Sequence, residues 1–294
     1  GMRNTTAEGN STQVVFLTQY ENIMLGAIGG VLKSYLLMPF VTLKYCLQEG
    51  RGFPRNVMEW YRGVVPNAAF MAPITVLQVW SNGYIEKLVT GGERQLTKVE
   101  KVSVAVAAGA ISAILFSPLD LLVIQQQRLK LGMLATFTHI KNEFGLHKLL
   151  RGLKACTIRE GIYTGGYLGL APVMTEMIEK SDLFTLGPVP SGLLGSISAG
   201  GIASLITHPV DTAKTVLQAD VLGVQYGSTR QAMMEIYSQS GLSSLYRGGI
   251  VRCGQVSAAV FVLSTLRRKA LEYKAEIERK RIQAIKGEQV ELVY

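Results

Sequence analysis

Apolar and polar residues do not alternate along this chain; they come in blocks. Residues 64–84 contain no Asp, Glu, Lys or Arg, and neither do 102–119 or 183–210. About 20 apolar residues in a helix cross a hydrocarbon core of about 30 Å, so each block predicts a membrane-spanning helix. Three weaker blocks are interrupted or short. Residues 22–43 contain Lys33, 153–178 contain Lys154, Arg159, Glu160 and Glu176, and 252–266 need their charged flanks to reach spanning length. Six such segments leave too little polar surface for a soluble fold. The pattern predicts an all-α membrane protein with six transmembrane helices.

Composition agrees: 48% of residues are hydrophobic and 17% charged, against roughly 25% charged in soluble domains. The net charge of +9 adds a basic character. Nucleic acid is not an expected partner, because the positive charge lies in short stretches between apolar blocks and not on a soluble basic face. The loop after the third block holds Arg128, Lys130, Lys141, Lys148, Arg151 and Lys154 against Glu143, whereas Glu176, Glu179 and Asp182 outnumber Lys180 after the fourth. Positive loops favour the inner compartment, so the loops after segments one, three and five are expected inside and both termini outside. Residues 1–13 have neither the apolar core of a secretory signal nor the basic amphipathic face of a transit peptide, so targeting information is expected to be internal. Cys46, Cys156 and Cys253 form no metal or disulfide pattern, and His139, His147 and His208 lack ligand spacing. No catalytic site, no metal and no enzymatic cofactor are expected.

The blocks also repeat. Pro39, Pro118 and Pro209 stand near the ends of the odd segments, and nine residues after each comes a glutamine: Gln48, Gln127 and Gln218. Nine residues before each comes Gly30, Gly109 or Gly200, and four earlier a small residue, Gly26, Ala105 or Ser196. This small-xxx-small spacing lets another helix approach closely. Downstream, the triplets Tyr61-Arg62-Gly63, Leu150-Arg151-Gly152 and Tyr246-Arg247-Gly248 open the even segments.

These residues resemble the mitochondrial carrier family, whose signature Pro-x-[Asp/Glu]-x-x-[Lys/Arg] and aromatic-basic-Gly triplet recur three times. The resemblance covers roughly residues 20–270, with repeats at 20–91, 92–183 and 184–271, a polar segment at 1–19 and a charged tail at 272–294. It implies a pseudo-threefold six-helix bundle with short matrix-side helices, odd helices kinked at the prolines, and a central cavity with alternating access across the mitochondrial inner membrane. It further implies bound cardiolipin at Arg62, Gly63, Arg151, Gly152, Arg247 and Gly248. A matrix gate follows from the same likeness, with Asp120 paired to Lys214 and Asp211 to Lys44, braced by Gln48, Gln127 and Gln218. Val41 and Val123 occupy the remaining acid and base positions, so an apolar contact is expected in place of the third pair.

The outer gate departs further. Its acid positions fall at Gly83, Pro172 and Arg268, and its basic positions at Glu86, Thr175 and Leu271, so no pair survives. The mid-cavity contact positions fall at Phe70, Arg159 and Gln255, with Arg252 and Lys33 as further candidates for substrate binding. Arg159-Glu160-Gly161 resembles the Arg-acid pair of relatives that handle amino acids and other zwitterions. Chemically, a guanidinium grips a carboxylate and the adjacent acid receives an ammonium; a structural ion pair within the bundle is the alternative. The first repeat has 24 residues between proline and triplet glycine, against 34 and 39 in the others. The tail from Arg267 is expected as a solvated helix, with Ile277, Ile282 and Ile285 giving it a thin apolar side. Two functions follow: exchange of a small anionic or zwitterionic metabolite, amino-acid-like by the Arg159-Glu160 pair, or a transport-inactive structural subunit of a larger inner-membrane complex.

Overall fold

The computed structural model describes residues 18–91, 93–180 and 188–291. The long helices are α1 (Gln19–Glu49), α3 (Val64–Thr90), α4 (Lys98–Leu129), α8 (Pro188–Ala219) and α11 (Gly249–Glu291). The fourth segment is helical from end to end but changes pitch: α6 (Leu153–Thr164) passes through a π-helical stretch, Gly165–Leu170, into α7 (Ala171–Glu179). Gly165, Gly166 and Gly169 supply little side-chain bulk to hold a regular pitch there. Neighbours in the bundle run α1, α3, α4, α6–α7, α8, α11 and back to α1, a closed ring of six.

The starts of the helices are written in the sequence. Thr18 with Glu21 and Thr97 with Glu100 form reciprocal capping boxes at α1 and α4, each 21 residues before the repeat proline. Pro39, Pro118 and Pro209 all sit inside continuing helices. Each removes one backbone hydrogen bond and crowds the preceding turn, which is the usual origin of a bend.

The repeated glycines set the helix spacing. A Cβ at Gly30 would stand 3.1 Å from Met71 Cβ, and one at Gly200 would stand 2.9 Å from Val256 Cγ1. At Gly109 it would collide with the Glu160 carbonyl and the Thr164 side chain. Met71, Glu160 and Val256 each lie eight residues beyond their triplet glycine, so the three contacts are threefold equivalents. Gly109→Ala is therefore expected to push α4 from α6 and destabilise the fold by about 1–3 kcal/mol, read as a lower unfolding temperature in detergent. The triplet glycines have positive φ and pack against the following repeat's odd helix: Gly63 on Val123, Gly152 on Gln218 and Gly248 on Lys44.

Between odd and even helices, repeats 2 and 3 carry twelve-residue helices, α5 (Met133–Phe144) and α9 (Thr229–Ser240). Repeat 1 has only the single turn α2 (Val57–Trp60), as its shortened segment and Pro54 predict. Repeat 3 adds a loop after Ala219 in which Asp220 accepts from the backbone N–H groups of Gly223, Val224, Gln225 and Tyr226 and pairs with Arg151 at 3.3 Å. Partial burial works to raise the Asp220 carboxyl, but the N–H groups of Tyr226, Gln225 and Val224, with Arg151, outweigh it and hold it below the ordinary range. A carboxyl depressed by folding contributes stability above its unfolded range and loses it as the pH falls through the lowered value. Acid unfolding of the wild type is thus expected to lose this contribution, and Asp220→Ala to be less stable already at pH 7 with a flatter acid limb.

The sixth segment and the tail expected as a solvated helix form one continuous helix. At 43 residues α11 extends about 65 Å, about twice the hydrocarbon core. Its distal part carries exposed pairs within the helix, Arg268 with Glu272 and Glu276 with Lys280. Lys274 Nζ, 2.5 Å from Glu21 Oε2, ties it to the start of α1. Residues 1–17 and 292–294 and the side chains of Ile282 and Ile285 lie outside the described residues, as does the beginning of the 183–210 block.

Candidate functional site

Buried charges gather two and five residues beyond the repeat prolines. Lys44 Nζ lies 3.1 Å from Asp211 Oδ2, and Lys214 Nζ lies 2.7 Å from Asp120 Oδ2. Val41 and Val123 share an apolar cluster with Met38, Tyr45 and Ile124. Arg159 joins the two pairs. Its guanidinium donates to Asp120 Oδ2 at 2.7 Å and to Asp211 Oδ1 at 3.4 Å, and it also pairs with neighbouring Glu160. Arg252 reaches Asp211 Oδ2 at 3.3 Å and donates to Thr207 Oγ1 at 2.9 Å. The result is one continuous chain of opposite charges, Lys44, Asp211, Arg159, Asp120 and Lys214, crossing three repeats. The close α4–α6 contact at Gly109 brings Arg159 and Glu160 to this level.

Above the chain lies a cavity of about 140 Å³ lined by Lys33, Lys44, Asp120, Arg159, Glu160 and Arg252, together with Asn67, Met71, Tyr163 and Gln255. That is below the roughly 300–1,000 Å³ of drug-sized sites, so it suits a small solute. A larger space of about 570 Å³ lies beyond the chain of charges. Its charged walls are largely satisfied internally, Arg128 by Glu49 and Asp220 by Arg151.

Several expected residues stand elsewhere. Phe70 does not line the cavity; it packs against the Met38–Val41–Ile74 cluster, because Asn67 and Met71, one turn apart on α3, take the inner face. Gln48 touches an ion pair, donating to Asp211 Oδ2 at 3.0 Å. Gln127 and Gln218 touch neither aspartate pair: they donate to the triplet carbonyls of Arg62 and Arg151, at 3.2 and 3.3 Å, and fix the even helices to the next repeat, while Gln127 Oε1 accepts from Arg51. The corresponding Arg247 carbonyl faces His208 Nε2 at 3.0 Å, which leaves Gln48 available to Asp211. Among the triplets, Arg151 points into the protein, to Leu217 O and Asp220, and so is not turned to lipid; Arg62 reaches Leu131 O and Arg247 is exposed.

At the outer positions Glu86 is exposed and Arg268 pairs within its own helix, and the Pro172 side chain lies outside the described residues. Thr175 donates to Ala171 O. Among the described residues no ion pair joins two even helices there. A buried polar knot lies further in, where Gln78 Nε2 donates to Ser112 Oγ at 3.1 Å and to Thr164 Oγ1 at 3.4 Å.

Sequence reasoning missed Tyr45 and Gln78. The Tyr45 hydroxyl donates to Asp120 Oδ1 at 3.3 Å, while its ring lies 4.4 Å from Lys44 Nζ and 5.8 Å from Lys214 Nζ. A cation over an aromatic face is stabilised by the ring quadrupole. Position 45 follows Val41 by one helical turn, which is the signal that could have found it. Gln78 shares its apolar block with Asn67 and Asn82 and carried no comparable pattern.

Comparison with known proteins places this arrangement. A family model described as mitochondrial carrier protein matches residues 94–182 and 186–274, more than half of the chain and two of its repeats. The chain belongs to the mitochondrial carrier family. Its similarity to other carriers is broad and even. A probable mitochondrial 2-oxodicarboxylate carrier of Dictyostelium discoideum is 24% identical over 277 residues, covering 87% of this chain and 92% of that protein. The mitochondrial S-adenosylmethionine carrier protein of Mus musculus is 26% identical over 267 residues, 88% and 96% of the two chains. The mitochondrial glycine transporter of Xenopus tropicalis is 27% identical over 201 residues, 67% and 65%. Carriers of this family are multi-pass proteins of the mitochondrial inner membrane that transport small metabolites and are not enzymes.

Proposed function

We propose that this carrier exchanges a small carboxylate-bearing metabolite, anionic or zwitterionic, by alternating access. The observation that supports it is Arg159, a guanidinium in the cavity wall that is shared between Glu160 and the two aspartates of the closing chain. A substrate carboxylate that takes this guanidinium competes with Asp120 and Asp211. Binding therefore draws on the same interactions that close the bundle, so the bound solute offsets the cost of opening. In this reading the ion-pair chain is the matrix gate, the triplet end faces the matrix, and both termini face the intermembrane space. Cardiolipin is the proposed lipid at the triplets, with Arg62 and Arg247 as the side chains placed to meet it.

Purified protein in cardiolipin-containing liposomes tests the reading with a panel of labelled organic acids, amino acids and nucleotides. Exchange of at least one carboxylate that depends on internal solute is expected; failure of every solute to exchange would retire it. A second reading, a structural subunit of a larger inner-membrane complex, is favoured by the length of α11 and by the lack, among the described residues, of an ion pair between even helices at the outer end. Recovery of the protein only within a large assembly, without exchange, would select that reading.

A further inference from the structure

Charge around the cavity is not balanced. The wall carries Lys33, Lys44, Arg159 and Arg252 against Asp120 and Glu160, a formal excess of two positive charges. Adding the pair just beneath, Lys214 and Asp211, leaves the excess unchanged. The cations are not equivalent. Lys44, Arg159 and Arg252 each contact a carboxylate, whereas Lys33 makes no hydrogen bond or ion pair with a described residue. The acid that acts on it through space is Glu160, already held by Arg159. An ammonium at membrane depth without a partner is costly, and such residues usually face a solute path.

We propose that the preferred substrate is a small dicarboxylate dianion, with one carboxylate held by Lys33 and the other by Arg159. The inference rests on the transport reading above and narrows its substrate class. A dianion neutralises the excess of two, a monocarboxylate leaves one charge uncompensated, and a zwitterion leaves both. Lys33 on α1 and Arg159 on α6 stand on opposite sides of the ring of helices, so the two anchors suit a solute with a carboxylate at each end. Lys33 needs to release no other acid to bind. It is the first contact, and the second carboxylate then competes with Asp120 and Asp211 for Arg159.

The test compares exchange of labelled 2-oxoglutarate and malate with that of pyruvate and glycine in liposomes, using wild type, Lys33→Gln and Lys33→Arg. Dicarboxylates are expected to exchange at least tenfold faster than the other two. Lys33→Gln should lower dicarboxylate exchange at least tenfold and Lys33→Arg should largely restore it. A separate readout needs no transport: dicarboxylate should raise the unfolding temperature of the wild type and not that of Lys33→Gln. Without ligand, Lys33→Gln should melt no lower than the wild type, because an unpartnered charge has been removed. Pyruvate or glycine exchanging as fast as the dicarboxylates would overturn the proposal while leaving transport intact. So would a Lys33→Gln protein with unchanged dicarboxylate exchange, or one that melts lower without ligand. Exchange of none of the four by the wild type, with no thermal shift by dicarboxylate, would overturn it as well; the wider solute panel then decides whether transport itself survives.

Discussion

Arg159→Gln is expected to abolish solute exchange and to lower the unfolding temperature of the empty carrier. Glu160 has Arg159 as its sole ion-pair partner among the described residues, and its side chain is 4% exposed. Removing one member of a buried pair leaves an uncompensated charge and costs about 3–5 kcal/mol. Asp120 keeps Lys214 and Tyr45, and Asp211 keeps Lys44 and Arg252, so the destabilisation should come mainly from Glu160. The double variant Arg159→Gln/Glu160→Gln separates the two roles. It removes both charges, so most of the lost stability should return while exchange stays absent. Thermal melting in detergent and uptake in liposomes check the two halves. A double variant that transports would remove Arg159 from the substrate site.

Asp120→Asn should destabilise the closed carrier more than Lys44→Gln, although each breaks one expected gate pair. Lys214 is fully buried and Asp120 is its only ion-pair partner among the described residues, so the amide strands a buried ammonium at about 3–5 kcal/mol. Asp211 has three cations around it, Lys44, Arg252 and Arg159, and an amide from Gln48. Loss of Lys44 leaves it partnered, and the expected cost is about 1–3 kcal/mol, near that of a charged hydrogen bond. Unfolding temperatures of the two variants side by side decide the ranking, and Asp120→Asn/Lys214→Gln should melt above Asp120→Asn alone. Equal melting of the two single variants would mean that charge is spread evenly around the ring.

Much of this architecture was legible because it is written three times. The prolines, glycines and triplets recur at fixed offsets, and the helix contacts at Met71, Glu160 and Val256 follow the same register. The two buried pairs were also readable, since the acid and base positions stand three residues apart in each signature and the ring closes Asp120 with Lys214 and Asp211 with Lys44 between repeats. What the repeat could not reveal is where it is broken. In the sequence Arg159 has a solute carboxylate or Glu160 as its expected partner; it also reaches Asp120 and Asp211 because a guanidinium has five donors and one long flexible stem. The family resemblance makes Gln48, Gln127 and Gln218 equal braces, but Gln127 and Gln218 each take a triplet carbonyl, which His208 faces in the third instance. Phe70 was assigned by offset, and one position on a helix turns a side chain by about 100°, enough to move it from cavity to core. The tail reads as a solvated helix in the sequence; its contact with the start of α1 through Lys274 and Glu21 has no local pattern to announce it.

The most direct measurement is counter-exchange by the purified protein in liposomes, comparing vesicles loaded with a carboxylate metabolite against empty ones. An alternating-access exchanger predicts rapid uptake of the labelled solute only into loaded vesicles, abolished by Arg159→Gln. Equal uptake into loaded and empty vesicles, or uptake that survives Arg159→Gln, would contradict the link between the cavity arginine and the gate.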